Sequence, residues 1–219
     1  PTLANGATVN VFCGGLAFLS DGRLLVIGGH LADGVGLDQA AIFDADSTGV
    51  GAGTWTPTAQ MGKGRWYPTA TTLPDGGVLV LAGSFKPNPA EGPRANRDIQ
   101  VWRDGTWEQL AAPPDDCILD LYPRTHVLSD GRVFISGPLQ DTWLLTTTNG
   151  GRWERSQTPR LGQCDYAPAV LYDVDKVLFI GGGGEPTARC ETIDFSSPTP
   201  QWEGARDENM KMIVPRRQH

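Results

Sequence analysis

One position in the sequence recurs at a fixed distance before a turn, and in the first two of four repeats it holds a cysteine and a tyrosine. Cys13, Tyr67 and Tyr122 each lie eight residues before the Asp of an Asp-Gly turn, and Tyr166 lies nine residues before Asp175. Equivalent positions of repeats that stack around an axis are neighbours in space, so the thiol of Cys13 should face the phenol of Tyr67. A thiol beside a phenol at the mouth of a central channel is a candidate ligand site.

The competing interpretation gives both side chains a purely structural role. In that interpretation Cys13 is a small buried hydrophobic residue, and Tyr67 lines the channel with its hydroxyl in water. The spacing alone favours this interpretation, because burial is the usual fate of a free cysteine. The sequence segments around Cys13 and Tyr67 favour a functional role for the two residues over this structural one.

The repeats that position these residues are marked by turns at Asp21, Asp75, Asp130 and Asp175, which lie 54, 55 and 45 residues apart. Each turn is followed by an apolar run that ends in small residues, as in residues 23–29. This spacing is the period of a propeller blade. Asp-Gly between two apolar segments predicts a β-hairpin with a type I′ turn, because both residues tolerate positive φ.

Each repeat is interpreted as a four-stranded meander whose first strand lies innermost. A second apolar segment follows the first, and a polar turn and one tryptophan complete the repeat. We interpret this tryptophan as a residue that packs between blades. These tryptophans are Trp55, Trp107, Trp153 and Trp202. With 28 Gly and 17 Pro among 219 residues, the chain leaves little room for long helices.

The sequence therefore predicts an all-β fold, a kelch-type β-propeller. Residues 1–219 would form one partial propeller domain. Its four blades would begin near residues 12, 65, 121 and 165, and a fifth would open near residue 216. Kelch propellers usually have more than four blades, so we interpret the chain as a fragment of a seven-bladed ring.

Charge and motif content exclude several classes of function. The chain has 18 basic and 25 acidic residues, a formal net charge of −7 at pH 7, which disfavours a nucleic-acid partner. No apolar run approaches the ~18 residues of a membrane span, so no membrane segment is predicted. The glycine-rich runs lack the Lys-Ser/Thr of a P-loop, and no Gly-x-Ser-x-Gly occurs, which disfavours phosphate binding and hydrolase chemistry.

The sequence around both candidate residues resembles the copper radical oxidases, the family of galactose oxidase and glyoxal oxidase. The resemblance extends over essentially the whole chain, and a Cys followed by Arg-x-Tyr in the adjacent blade is its most specific part. The matching segments are residues 11–15, 18–23 and 28–30 for the first blade, 63–72 for the second, and 121–124 and 212–219 for later blades of the bacterial, glyoxal-oxidase-like branch.

The resemblance implies a role for each candidate residue. In that family the matching cysteine and tyrosine are joined by a thioether, and the tyrosine binds copper and holds a stable radical. Tyr67 would thus be a copper ligand and radical cofactor, and Cys13 its covalent partner. Phe85 would shield the thioether where galactose oxidase has a tryptophan, and Arg160 would contact substrate. The remaining copper ligands, a Tyr-His pair and a later histidine, would lie beyond position 219.

The resemblance also implies a reaction. A primary alcohol, an aldehyde or a carbohydrate would be oxidised by O2 to give H2O2, outside the cell or at its surface. Two other interpretations stay open. One is a non-catalytic kelch propeller that binds a protein or a glycan, and the other is an oxidase relative that has lost the metal.

The histidines and the other cysteines receive no catalytic assignment from the sequence. His30 is interpreted as a loop residue, and His126, on the face of Tyr122, as a channel-lining or satisfied inner histidine. His219 would open the fifth blade. No Cys-x-x-Cys spacing occurs, but two of the remaining cysteines would be able to pair if the protein is exported. These are Cys117, Cys164 and Cys190.

Overall fold

The computed structural model describes residues 1–3, 5–45, 51, 53–88, 90–119, 121–137, 139–156, 166–204 and 208–216. These residues form short antiparallel strands, turns and one 3-10 turn, Glu208–Met210. Four sheets each contain a meander of four strands. The predicted all-β fold with four-stranded propeller blades is therefore confirmed.

The first two blades each combine a four-stranded sheet with a two-stranded hairpin. The strands of blade 1 are β1 (Gly15–Phe18), β2 (Leu24–Ile27), β3 (His30–Ala32), β4 (Val35–Gly36), β5 (Ala40–Asp44) and β6 (Thr54–Pro57). Those of blade 2 are β7 (Thr69–Thr72), β8 (Val78–Leu81), β9 (Ser84–Phe85), β10 (Arg94–Ala95), β11 (Ile99–Arg103) and β12 (Thr106–Leu110). The hairpins β3–β4 and β9–β10 are inserted between the second and third strands of their sheets.

Blades 3 and 4 repeat the meander without an inserted hairpin. The strands of blade 3 are β13 (Arg124–Val127), β14 (Val133–Ser136), β15 (Thr142–Thr146) and β16 (Arg152–Arg155). Those of blade 4 are β17 (Ala169–Asp173), β18 (Lys176–Ile180), β19 (Thr187–Asp194) and β20 (Trp202–Glu203), and β21 (Lys211–Arg216) follows. Strand β21 pairs with the long strand β19.

The chain divides into two compact units. Blades 1 and 2 belong to the unit Pro1–Pro113 with Leu119–Tyr122, and blades 3 and 4 belong to the unit Pro114–Ile118 with Pro123–His219. One partial propeller domain over residues 1–219 stays a prediction.

The hairpin between the first two strands differs from the predicted type I′ turn. In blade 1 the N–H of Gly22 donates to the carbonyl of Leu19, and the N–H of Leu19 donates to the carbonyl of Arg23. Only the glycine has positive φ, at 87°. The Asp21 carboxylate instead accepts the backbone N–H of Arg23 at 3.0 Å. The loop is thus a three-residue turn closed by a left-handed glycine, and Asp contributes its side chain rather than its backbone.

Apolar strand faces of neighbouring blades form a hydrophobic core in each unit. In the first unit, Leu25 and Ile27 of β2 pack with Val78 and Val80 of β8, and all four are fully buried. In the second unit, the fully buried ring of Phe134 packs into a cluster that holds side chains of both blade 3 and blade 4. Within each unit the two blades therefore bury one face of each sheet against the other, which is the packing that the repeat predicts.

The repeat tryptophans do not all pack in the same way. Trp107 lies against the core of the first unit, and its indole N–H donates to the carbonyl of Ala59 at 2.7 Å. Trp202 is buried in the core of the second unit. Trp55 packs instead with Leu3 and Val9 of the N-terminal segment. The prediction of packing between blades is thus confirmed for Trp107 and Trp202.

His126 is an inner residue of blade 3. It lies on β13 opposite Phe134 and is 9% exposed, and its Nε2 atom has no hydrogen-bond partner among the described residues. Burial, aided by the positive charge of Arg124, lowers the pKa of His126 to about 4. The inner position is as predicted, and of the two forms that the sequence left open, a channel-lining or a satisfied histidine, the unpartnered Nε2 does not fit the satisfied one.

This pKa predicts an acid-dependent loss of stability. The unfolded chain binds a proton at His126 near pH 6.5, whereas the folded chain does so near pH 4, so stability falls as the pH drops between these values. We expect roughly 2–3 kcal/mol of this loss to disappear in His126→Leu. Denaturant unfolding of both proteins at several pH values measures it. Equal pH slopes in the two proteins would exclude His126 as the titrating group.

Candidate functional site

The four residues found by spacing share an uncommon backbone conformation. Cys13, Tyr67, Tyr122 and Tyr166 have φ values of 62°, 61°, 50° and 59°, in the left-handed region. This region is uncommon for residues other than glycine. The sequence interpretation put them at the start of the first strand of each blade, but they lie two or three residues before it, because a left-handed residue cannot continue a strand.

Backbone hydrogen bonds join the first three of these positions. The N–H of Tyr67 donates to the carbonyl of Cys13 at 2.8 Å, and the N–H of Tyr122 donates to the carbonyl of Tyr67 at 2.9 Å. Equivalent turns are therefore in direct contact within the first unit. Contact between the sulfur of Cys13 and the ring of Tyr67 stays a prediction.

The ring of Tyr67 lies between two other aromatic rings. The indole of Trp66 stacks on it at 3.8 Å between centroids and 6° between planes, and the ring of Tyr122 stacks on it at 4.6 Å and 18°. We call Trp66, Tyr67 and Tyr122 the aromatic stack. All three side chains are half-buried.

Trp66 was not singled out by the sequence interpretation. Residues adjacent in an extended chain point to opposite sides, so Trp66 and Tyr67 were not expected to touch each other. The left-handed turn at Tyr67 breaks this alternation and lets the two rings stack. The adjacency Arg-Trp-Tyr was the available signal, but it has meaning only once the turn geometry is known.

The side chain of Tyr122 is also bonded to blade 1. The hydroxyl of Tyr122 donates to the carbonyl of Gly14 at 3.1 Å, next to Cys13. This bond ties the side chain of Tyr122 to the segment of blade 1 that holds Cys13. The copper-ligand role of Tyr67 stays a prediction.

Phe85 lies on β9, which pairs with β10. Its ring is half-buried and carries the ammonium of Lys63 at 5.8 Å from its centroid. The ring that stacks at 3.8 Å on Tyr67 is that of Trp66. The shielding role of Phe85 stays a prediction.

Arg65 anchors the segment that carries the stack. Its guanidinium donates to the carbonyls of Ala82 and Asp98, at 2.7 and 2.8 Å, and to Oε1 of Gln100 at 2.9 Å. The residue is fully buried, and burial lowers its pKa to about 10, so it stays charged at neutral pH. The arginine thus binds the segment before Tyr67 to the interior of blade 2.

Glycines of blade 1 allow this segment to approach. The N–H of Gly29 donates to the carbonyl of Arg65 at 3.1 Å. A Cβ atom at Gly28 would overlap the carbonyl oxygen of Arg65, and one at Gly36 would overlap its carbonyl carbon. The small residues after the apolar run therefore let blade 1 contact the Arg65 backbone directly.

The remaining histidines and cysteines, and Arg160, differ in where the structure places them. His30 is the first residue of strand β3 rather than a loop residue, because it pairs with Gly36. Cys190 forms no disulfide with another described cysteine, and burial raises the pKa of its thiol. Cys117 is fully buried. Arg160, Cys164 and His219 lie outside the described residues, so the substrate contact and any disulfide stay predictions.

The usual ligand sets of metal ions combine several His, Cys, Asp or Glu side chains. The described ranges contain no group of three or more His, Cys, Asp or Glu side chains arranged to hold a metal ion.

Among the residues that the structure describes, no helix has the length and apolar character needed to cross a membrane.

Comparison with known proteins gives two informative curated relatives. The chain is 25% identical over 194 residues to a galactose oxidase from Gibberella zeae, an alignment that covers 81% of this chain and 26% of the relative. It is 32% identical over 130 residues to the aldehyde oxidase GLOX from Vitis pseudoreticulata, covering 58% of this chain and 23% of the relative. No protein-family model matches the chain.

A solved structure supports the fold. A fungal alcohol oxidase of the AA5 family, determined in complex with copper, aligns with a TM-score of 0.73 and 21% identity, covering 90% of this chain and 42% of the oxidase. The chain spans about a quarter of the length of the curated relatives it matches. The two curated relatives confirm the resemblance to the copper radical oxidase family, and the solved structure confirms the fold.

The contact between blade 1 and Arg65 can be tested by adding one methyl group. Gly36→Ala should destabilise the protein by about 1–3 kcal/mol, because the new Cβ overlaps backbone that cannot move without displacing the aromatic stack. Denaturant unfolding measures the change, and near-ultraviolet circular dichroism reports the packing of the stack.

Gly62→Ala is the matched control. A Cβ atom at Gly62 meets no atom within 4 Å, and neither Gly36 nor Gly62 has positive φ. Equal stability of the two variants would show that the close approach at Arg65 is not a constraint on the fold.

Proposed function

Because the chain is similar in sequence to a galactose oxidase and an aldehyde oxidase, we propose that the protein is a copper radical oxidase whose redox cofactor forms from Cys13 and Tyr67. It would oxidise a primary alcohol, an aldehyde or a carbohydrate with O2 as the electron acceptor. The observation that carries the proposal is the backbone hydrogen bond of 2.8 Å between these two residues, at equivalent turns of adjacent blades.

The reaction requires two electrons to be removed from the substrate. A primary alcohol and O2 give an aldehyde and H2O2, and an aldehyde, water and O2 give a carboxylic acid and H2O2. A bound copper ion would supply one one-electron site, and the oxidised phenol of Tyr67 would supply the other. A thioether substituent from Cys13 makes the phenol easier to oxidise.

The residues around Tyr67 are suited to protect an oxidised ring. Trp66 and Tyr122 cover the two faces of that ring, which limits access of water and reductants. Tyr67 is the member of the pair proposed to bind copper, because its place in the sequence matches the copper-binding tyrosine of the family that the chain resembles. Phe85 would add shielding at the edge of the site.

A complete copper site would need further ligands. Tyr67 fits one position, since a phenolate oxygen is a suitable ligand, and the described residues hold no larger ligand cluster. The other ligands, and a substrate contact by Arg160, would therefore come from outside the described residues. We further propose that the protein acts outside the cell, where its small-molecule substrate and O2 are available.

The cross-link gives the direct test. Formation of the thioether removes the thiol hydrogen of Cys13 and one ring hydrogen of Tyr67, and O2 accepts both with their electrons as H2O2. After the full-length protein is exposed to Cu²⁺ and O2, mass spectrometry should find a peptide pair with Cys13 and Tyr67 that is lighter by two hydrogens and resists reductant.

Tyr67→Phe should abolish this species, because the ring loses the hydroxyl that makes it oxidisable. Cys117→Ser is the matched control for a thiol outside the site and should keep it. A Cys13 that is still alkylated quantitatively after exposure would contradict the oxidase and favour a propeller that only binds a protein or a glycan.

A further inference from the structure

The indole of Trp66 is held at its edge by a histidine from blade 1. Its Nε1–H donates a hydrogen bond to Nδ1 of His30, with 3.2 Å between the nitrogens. An imidazole nitrogen accepts a hydrogen bond only when it carries no proton, so this contact uses the neutral ring with its proton on Nε2. The histidine that the sequence left without a role thus contacts a member of the aromatic stack.

The backbone of Trp66 is fixed separately, by blade 2. Its N–H donates to the carbonyl of Ser84 at 2.8 Å, and the N–H of Ser84 donates to the carbonyl of Trp66 at 2.9 Å. With the backbone fixed, two side-chain torsions remain to be set. The hydrogen bond to His30 is directional, and it selects the indole orientation that is parallel to Tyr67.

His30 is itself held in place. Its backbone N–H donates to the carbonyl of Asn10 at 2.9 Å, and the ring of Phe12 packs against the imidazole at 6.1 Å between centroids and 59° between planes. Phe12 directly precedes Cys13. The segment that carries the thiol and the residue that orients the indole are therefore parts of one packed group.

We propose that His30 is a positioning residue for Tyr67: it holds the indole of Trp66 flat against the phenol ring, and this fixes the ring in the orientation in which Cys13 can react with it. The geometric part of this inference is independent of the proposed function, and its chemical consequence rests on that function.

The orientation is tested without copper. In the full-length protein with ¹⁵N-labelled tryptophan, the indole N–H resonance of Trp66 is assigned by its loss in Trp66→Phe. His30→Phe keeps a ring for Phe12 to pack against but removes the acceptor, so the Trp66 indole proton should shift upfield and the near-ultraviolet dichroism of the stack should fall. An unchanged resonance in His30→Phe would overturn the proposal.

His30→Asn is the rescue variant. The Oδ1 atom of asparagine stands as many bonds from the backbone as Nδ1 of histidine, so it can accept the same indole N–H. We expect the resonance and the dichroism of His30→Asn to lie close to those of the unmodified protein. If His30→Asn and His30→Phe shift the Trp66 indole resonance and lower the dichroism by equal amounts, only the shape of the imidazole matters. This result would also contradict the proposal.

The chemical consequence is tested with Cu²⁺ and O2. We expect the Cys13–Tyr67 cross-link to form about tenfold or more slowly in His30→Phe, because a freely oriented ring is seldom in reactive geometry, and at nearly the original rate in His30→Asn. A cross-link rate in His30→Phe equal to that of the unmodified protein would overturn the chemical role. If the unmodified protein forms no cross-link, the proposed function fails, and the resonance measurements still decide whether His30 positions Trp66.

Discussion

The site depends on one local constraint, the left-handed turn that precedes the first strand of each blade. At Cys13 and Tyr67 this conformation costs roughly 1–2 kcal/mol per residue, since both have a Cβ atom. It turns the carbonyl of one blade toward the N–H of the next, and the resulting bonds of 2.8 and 2.9 Å offset part of that cost at about 1 kcal/mol each. Each turn therefore depends on the blade beside it.

The buried charge of Arg65 and the glycines of blade 1 act on the same segment from opposite sides. The guanidinium has three acceptors in blade 2, which offset the cost of taking the charge out of water. On the other side, Gly28 and Gly36 leave no Cβ atom between blade 1 and the Arg65 backbone. The residues that follow Arg65 consequently have little freedom, which is what a preorganised site requires.

The aromatic stack is a result of this restriction. The turn at Tyr67 brings the ring of the preceding tryptophan against its own, and the bond between the turns of Tyr67 and Tyr122 brings the third ring to the opposite face. A phenol enclosed in this way is shielded from solvent over both faces. In the proposed reaction, such shielding would lengthen the life of a radical without the need for a deep cavity.

The sequence by itself determined the blades, because Asp-Gly turns followed by apolar runs are local signals of β-hairpins, and it located Cys13 and Tyr67 through their equal distance from those turns. It did not determine the turn type, the left-handed φ values or the short strand that contains His30, since these depend on which backbone groups another segment satisfies. It also missed Trp66, because alternation along a strand places neighbouring side chains on opposite sides. Only the tertiary structure decided that Trp66 stacks on Tyr67 and that His30 holds it there. The stack depends on the left-handed turn at Tyr67, whose N–H is bonded to Cys13 of blade 1, and the His30 contact requires blades 1 and 2 to meet.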